Sequence, residues 1–320
     1  MSWTPTSGVE MALARASILD KARQYFASQN VLEVFTPALS STGVTDPNID
    51  SVPATLGDRT VYLHTSPEFM MKRLIAAGFE DIYQVCRVFR DGESGPLHQP
   101  EFTMIEWYRL DFSLTDIIAD CIDLVTEMLA AEGVRQPRIV SYSDIFAETL
   151  SIDPMTASPE RLADLLEADA QLRASIGEDR DAWLNLAMAT LVAPHFADNG
   201  LTAIFHYPAS QASLARLCPE EPTVAERFEL YLGSVELANG FVELTDPGVQ
   251  LQRFEKERQL RAARGKPDVA IDDDLINALR SGLPPCAGVA LGLDRLLMIA
   301  EGQDDIANVM TFLPGSQCDR

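Results

Sequence analysis

The chain has 320 residues, of which 48 are Asp or Glu and 25 are Lys or Arg, so its formal net charge is −23. Hydrophobic residues make up 47% and charged residues 23%, a balance that excludes a disordered chain. Proteins that grip nucleic acid through its phosphates need many Lys/Arg contacts, and this excess of acid repels a polyanion at long range. The length suits one large domain over 1–320 or two smaller ones, and no apolar run reaches the roughly 20 residues of a membrane span, since Asp294-Arg295 interrupts the best candidate. The N-terminus lacks a basic segment followed by an apolar one, so no signal peptide is expected. Cys86, Cys121, Cys218, Cys286 and Cys318 are odd in number and never form a C-x-x-C pair. That usage points to neither a disulfide framework nor a zinc site, and to a reducing cytoplasm.

In chain order, residues 10–29 predict an amphipathic helix with Ala14, Ile18, Ala22 and Tyr25 at 3–4 spacing. VLEVF at 31–35 reads as a strand ending at Thr36-Pro37. Ser66-Pro67-Glu68 is a helix-start signature, and that helix should end near Gly78. Two strand-like runs, 81–90 and 101–109, flank the polar loop DGESGPLHQP, predicting an antiparallel hairpin with a functional tip. A helix follows over 114–132, then an acidic, Ala/Leu-rich helical insertion over 141–200. Strands resume at 202–207, 225–232 and 234–241, a charged helix covers 249–264, and a glycine-broken strand runs into a helix over 287–300. This order predicts an α+β fold with a mainly antiparallel sheet. There is no P-loop and no G-x-G-x-x-G fingerprint.

Three constellations carry chemistry. On the second hairpin strand, period-2 alternation places Phe102, Met104, Glu106 and Tyr108 on one face, with Arg90 closing the preceding strand and His98 in the loop. An arginine there suits bidentate recognition of phosphate or carboxylate. Around an Asn-Gly turn, Glu236 and Glu243 offer oxygen ligands of the kind a hard cation such as Mg²⁺ takes together with substrate phosphates. In GVALGLDR (288–295), glycines allow close backbone approach, and Arg295 opens a helix whose N–H groups attract anions. Each alone also reads more plainly: a surface hairpin, a solvated acidic turn, a common strand-to-helix junction.

Together, in this order, they resemble the class II aminoacyl-tRNA synthetases. VLEVFTPAL (31–39) resembles motif 1, Arg90 through Phe102 motif 2, and GVALGLDR motif 3. TSPEFMMKRL, HQPEFTMIEWYR, FHYPASQASLAR and VELANGFVELTD are similar to the lysyl-tRNA synthetase core, and most specifically to its short paralogues that ligate lysine to elongation factor P. The resemblance implies a six-stranded antiparallel sheet flanked by helices, with the insertion between motifs 2 and 3, a homodimer built through motif 1, and ATP with Mg²⁺. It implies nucleotide contacts at Arg90, Asp91, Gly92, Glu93, His98, Gln99 and Phe102, and again at Glu236, Leu237, Gly292 and Arg295, with Arg90 and Arg295 catalytic. It implies metal contacts at Glu236 and Glu243, and substrate contacts at Ser66, Pro67, Glu68, Tyr108, Glu243 and Ala290.

The surplus of carboxylates beside a tyrosine agrees with a diamino acid as substrate. The implied reaction activates (R)-β-lysine or lysine as an adenylate and transfers it to a lysine side chain of elongation factor P. Motif 1 begins by residue 31, leaving no room for an anticodon-binding domain, and with the net charge this argues against tRNA. Ala290 replaces a glycine usual in the synthetases, which fits a reshaped pocket floor and the paralogues' preference for (R)-β-lysine. The usual Arg-x-Glu of motif 2 is here Arg90-Asp91-Gly92-Glu93, and Gln99 stands where close relatives carry Asn. A basic patch, Arg253, Lys256, Arg258, Arg261, Arg264 and Lys266, could dock an acceptor or be a solvated, neutralised face. Two rival readings are a tRNA-independent lysyl-adenylate-forming paralogue with another acceptor and a non-catalytic regulatory paralogue.

Overall fold

A computed structural model describes residues 3–129, 135–197 and 200–313. In chain order the elements are α1 (Val9–Ser28), β1 (Leu32–Glu33), β2 (Leu39–Ser40), β3 (Pro53–Leu56), β4 (Arg59–Leu63), α2 (Glu68–Ala76), β5 (Ile82–Phe89) and β6 (Glu101–Leu110). After them come α3 (Leu114–Leu129), β7 (Arg135–Ser141), α4 (Tyr142–Leu150), α5 (Pro159–Leu165), α6 (Ala170–Ile176) and α7 (Arg180–Ala187). The chain continues through β8 (Gly200–Pro208), β9 (Val224–Leu232), β10 (Val235–Val242), α8 (Pro247–Ala263), α9 (Asp273–Gly282), β11 (Cys286–Gly292) and α10 (Leu293–Ala300).

The main sheet has eight strands in the order β1-β5-β6-β11-β10-β9-β8-β7. Its six inner strands are antiparallel to their neighbours, as expected, and one parallel strand is added at each edge, β1 beside β5 and β7 beside β8. Parallel neighbours need a crossover connection. The expected helical insertion supplies one, because α4 to α7 carry the chain from β7 to β8. Motif 1 yields only the two-residue β1 from the strand expected over 31–35, and a small sheet of order β2-β4-β3 was not expected. The end of the helix expected over 114–132 lies outside the described residues, as does Cys318; Cys86, Cys121, Cys218 and Cys286 are free.

The alternation along β6 decides the layers. Ile105 and Trp107, with Val289 and Leu291 of β11, face a core built with α1, α3 and α10, in which Phe26 stacks on Tyr83 at 4.1 Å. Each such fully buried apolar side chain contributes about 1.5–3 kcal/mol. The opposite face, bearing Glu106 and Tyr108, is covered by α2, α8 and α9, whose Met71, Phe254 and Leu275 pack with Tyr108 and Phe241. The candidate residues Ser66, Glu68, Glu106, Tyr108 and Glu243 line a cavity between that face and those helices. Among the described residues, no helix is long and apolar enough to cross a membrane.

Candidate active site

Cross-strand pairing sets the site's floor. Glu106 of β6 pairs with Ala290 of β11, Ala290 with Asn239 of β10, and Asn239 with Glu229 of β9. Paired residues share a face, so this row crosses the sheet beneath a cavity of about 180 Å³ that Arg90, Glu106, Ala290 and Glu243 help to line. One row further, Tyr108 pairs with Gly288 and Gly288 with Phe241. A Cβ on Gly288 would stand 2.5 Å from Tyr108 Cε1 and 2.7 Å from Glu243 Oε1, so only glycine allows both side chains to close over it.

Ser66, expected to cap α2, does more. Its hydroxyl accepts from the Glu68 amide at 3.0 Å and donates to Glu106 Oε2 at 2.7 Å, while Pro67 occupies the N-cap. Tyr108 donates to Glu106 Oε1 at 2.7 Å, so both oxygens of this buried carboxylate are held. Lys72 was not singled out from the sequence. It lies on the buried side of α2, and its ammonium sits 2.6 Å from Glu68, against Glu243, and 5.4 Å from the Phe241 ring centre. A lysine one turn after Glu68 on a helix's apolar side was the available signal. Burial alone would lower Lys72, but Glu243 and Glu68 outweigh it and hold the ammonium charged. Burial and the nearby Glu68 charge push Glu106 up to about 7, and burial, only partly offset by Lys72, pushes Glu243 up to about 8.

The other end of the site is cationic. The Arg90 guanidinium lies 5.1 Å from the Phe102 ring centre, its Nε donates to Thr65 O at 3.4 Å, and Glu93 approaches it at 3.7 Å. Gly92 has φ +75° with open space around it, so the backbone there favours glycine, and it is Glu93 that turns back toward Arg90. Asp91 is exposed, and its amide donates to Asp50 O at 2.8 Å; Gln99 is half-buried. Arg295 donates to Leu97 O at 3.1 Å, to Glu236 O at 2.9 Å and to His98 Nε2 at 2.7 Å. A Cβ on Gly292 would lie 3.8 Å from both the Arg295 side chain and Leu237 O, so these backbones are close neighbours. Burial, then Arg295, lowers His98, which favours the neutral ring that accepts from Arg295. Asp294, buried beside Arg295, accepts from the Thr103 amide at 2.6 Å and pairs with Arg15, fixing the start of α10 on β6. Sequence reasoning passed over that anchor.

The expected metal pair does not meet. Glu236 stands at the start of β10 and Glu243 just past its end, about 20 Å apart along an extended strand. Glu243 is enclosed with Lys72, whereas Glu236 is half-exposed beside Arg295. The acid that approaches Glu236 is Glu229, brought by strand pairing; partial burial and the Glu229 charge both raise Glu236. Glu229 also accepts from Tyr207 at 2.6 Å, from Tyr231 at 2.7 Å and from Arg227. Among the described residues no three potential ligands converge, but Mg²⁺ commonly takes only one or two carboxylates plus substrate phosphates, which Glu236 and Glu229 fit.

The basic patch on α8 is occupied with the protein itself. Arg261 donates to Asp46 O, Ile49 O and Asp50, Arg264 to Pro47 O, Asn48 and Asp179, and Lys266 to Asp50. Arg253 donates to Ser213 O and Ala215 O, and Arg258 to Asp268, which leaves Lys256 as the patch's free cation among the described residues. Arg261, Arg264 and Lys266 clamp residues 46–50 over the cavity, and the patch is neutralised mainly by Asp50, Asp179 and Asp268, with Glu255 beside Arg258.

The family "tRNA synthetases class II (D, K and N)" matches residues 6–315. A Photorhabdus laumondii protein named "Elongation factor P--(R)-beta-lysine ligase" is 46% identical, over 97% of this chain and 97% of its own. Proteins of the same name from Salmonella arizonae and an Enterobacter species are 43% and 42% identical over the same shares. The chain belongs to the class II tRNA synthetase family, among its relatives named as elongation factor P (R)-β-lysine ligases.

Proposed function

We propose that the chain uses ATP to activate (R)-β-lysine as an acyl-adenylate and transfers the acyl group to a lysine side chain of elongation factor P. One observation carries this: the cavity runs from Arg90 to the carboxylates Glu68, Glu106 and Glu243, which hold a single internal ammonium, Lys72. Such a pocket is short of positive charge at the far end, and a substrate with two ammonium groups supplies it. The relatives' names fit that chemistry.

A substrate carboxylate oxygen attacks the α-phosphorus in line, the bond to the β-phosphate oxygen breaks, and pyrophosphate leaves. The attacking carboxylate is already ionised, so the site's work is positioning and charge neutralisation. Arg90 faces the α-phosphate, Phe102 offers its ring to adenine, and Arg295 with His98 faces the outer phosphates. Glu106, held by Ser66 and Tyr108, and Glu243 receive the side-chain ammonium, while Glu68 receives the other. Glu236 and Glu229 would hold Mg²⁺, which neutralises phosphate charge when bound. The acceptor amine then attacks the acyl carbon, loses a proton, and AMP departs.

Dimerisation fits an apolar surface along α1 and motif 1, where Val9, Leu13, Leu32 and Phe35 are exposed, Phe35 by 81%. A cytoplasmic location accords with the free cysteines. ATP–pyrophosphate exchange that depends on (R)-β-lysine is the test; its absence with both lysine isomers would favour a non-catalytic paralogue.

A further inference from the structure

The chemistry above uses three of the carboxylates that face the acyl-substrate cavity, and Glu257 also lines it, from the roof. Glu257 stands on α8 one turn after the buried Phe254 and is half-buried. Its Oε2 accepts from the Thr45 hydroxyl, and no other hydrogen bond or ion pair reaches it among the described residues. The nearest cation of its own helix, Arg253, spends Nη1 on Ser213 O and Ala215 O, each at 2.7 Å. Burial raises the Glu257 carboxyl to about 7 despite the Thr45 bond. Arg253 offsets that burial only from a distance, with no ion pair to Glu257 among the described residues, and a half-buried acid so placed is costly unless a cation arrives.

An independent observation on the floor points the same way. Glu243 is fully enclosed, and its Oε1 has no hydrogen-bond partner although it lines the same cavity. Lys72 bridges Glu68 and Glu243, so the internal ammonium serves the wall and the floor and leaves the roof acid without an ion-pair partner. Glu257 senses Asp46, Arg253 and Glu68, whereas Glu243 senses Lys72, Glu68 and Glu106. The acidic part of the cavity therefore carries carboxylates on its roof as well as its floor, with Glu68 acting on both. The Glu68 end continues through Ser66 and Thr65 to Arg90, where the substrate's carboxylate must lie to be activated.

We propose that Glu257, anchored by Thr45, is a specificity-determining carboxylate that receives the ammonium nearest the carboxyl end of the diamino-acid substrate, from the roof opposite Glu68. This rests on the reading of the cavity as the acyl-substrate site. The assignment makes α8, and not only the sheet floor, responsible for requiring a second amino group.

The test is Glu257→Gln, which keeps the shape and can keep the Thr45 hydrogen bond, in calorimetric titrations of the full chain with (R)-β-lysine, L-lysine and 6-aminohexanoate. The last probe retains the distal ammonium and lacks the near one. The expected result is a tenfold or greater loss of affinity for (R)-β-lysine and L-lysine with affinity for 6-aminohexanoate and ATP unchanged. Thr45→Val, which keeps the charge and removes its anchor, should give a smaller loss with the same selectivity. Equal losses for all three amines, or none for any, would overturn the assignment. Failure of the unaltered protein to bind either diamino acid would instead overturn the reading of the cavity, and the assignment with it.

Discussion

Gly288 offers the sharpest structural prediction. In Gly288→Ala the new methyl would meet Tyr108 Cε1 at 2.5 Å, Glu243 Oε1 at 2.7 Å and Tyr108 Cδ1 at 2.8 Å. Carbon atoms settle at about 3.5–4.0 Å, so the ring must retreat by roughly an ångström. Overpacking of this kind costs about 1–3 kcal/mol, but here the ring can retreat into the cavity, which places the stability loss at the lower end. A melting temperature lowered by about 2–4 °C is expected. The cost reappears when substrate needs that space, and with it goes the 2.7 Å Tyr108–Glu106 bond. A hydrogen bond to a charged group is worth about 1.5–3 kcal/mol, which converts to a KM for the diamino acid raised about tenfold to a hundredfold. The KM for ATP should not move. Pyrophosphate exchange against each substrate reads both numbers, and a variant with wild-type KM for the amino acid would refute the packing argument.

Further expectations follow from the same geometry. Ala290 lies two residues along β11 on the same face and lines the cavity, so Ala290→Gly should raise adenylate formation with L-lysine relative to (R)-β-lysine; an unchanged preference would count against a role for that methyl. Glu236→Gln should increase the Mg²⁺ concentration needed for exchange while Glu243→Gln should not, the latter raising the amino-acid KM instead; the reverse pattern would restore Glu243 as a metal ligand. The carboxyls of Glu106 and Glu257 sit near 7 and that of Glu243 near 8, so more of them are anionic as pH rises. The diamino-acid KM should therefore fall from pH 6 to pH 8 at constant ATP KM. Unfolded carboxyls ionise near 4.3, so the folded, ligand-free protein binds more protons and should lose stability over pH 5–8, a loss that diamino acid reverses in thermal melts.

The sequence made legible those parts of the site whose geometry is local. The β5–β6 hairpin follows from period-2 alternation around a polar loop, and the opposite faces of Ile105/Trp107 and Glu106/Tyr108 follow from it directly. Parts set by pairing between distant strands were not legible. Glu236 and Glu243 look like partners because they flank one turn-like Asn-Gly, yet these residues lie within β10, whose length separates the acids. Strand register brings up Glu229 in place of Glu243. The edge strands escaped for different reasons: β1 is two residues long, and β7 contains the proline of RQPRIVS. The α8 cations looked like a free surface because their partners, Asp46 to Asp50, are some 200 residues away in sequence.

Incubation of the purified chain with ATP, Mg²⁺, (R)-β-lysine and elongation factor P, followed by intact-mass measurement of the acceptor, tests the central claim most directly. The account predicts a gain of one lysyl residue that requires both ATP and the diamino acid and disappears in Arg90→Ala. An acceptor of unchanged mass, under conditions where the adenylate demonstrably forms, would contradict it.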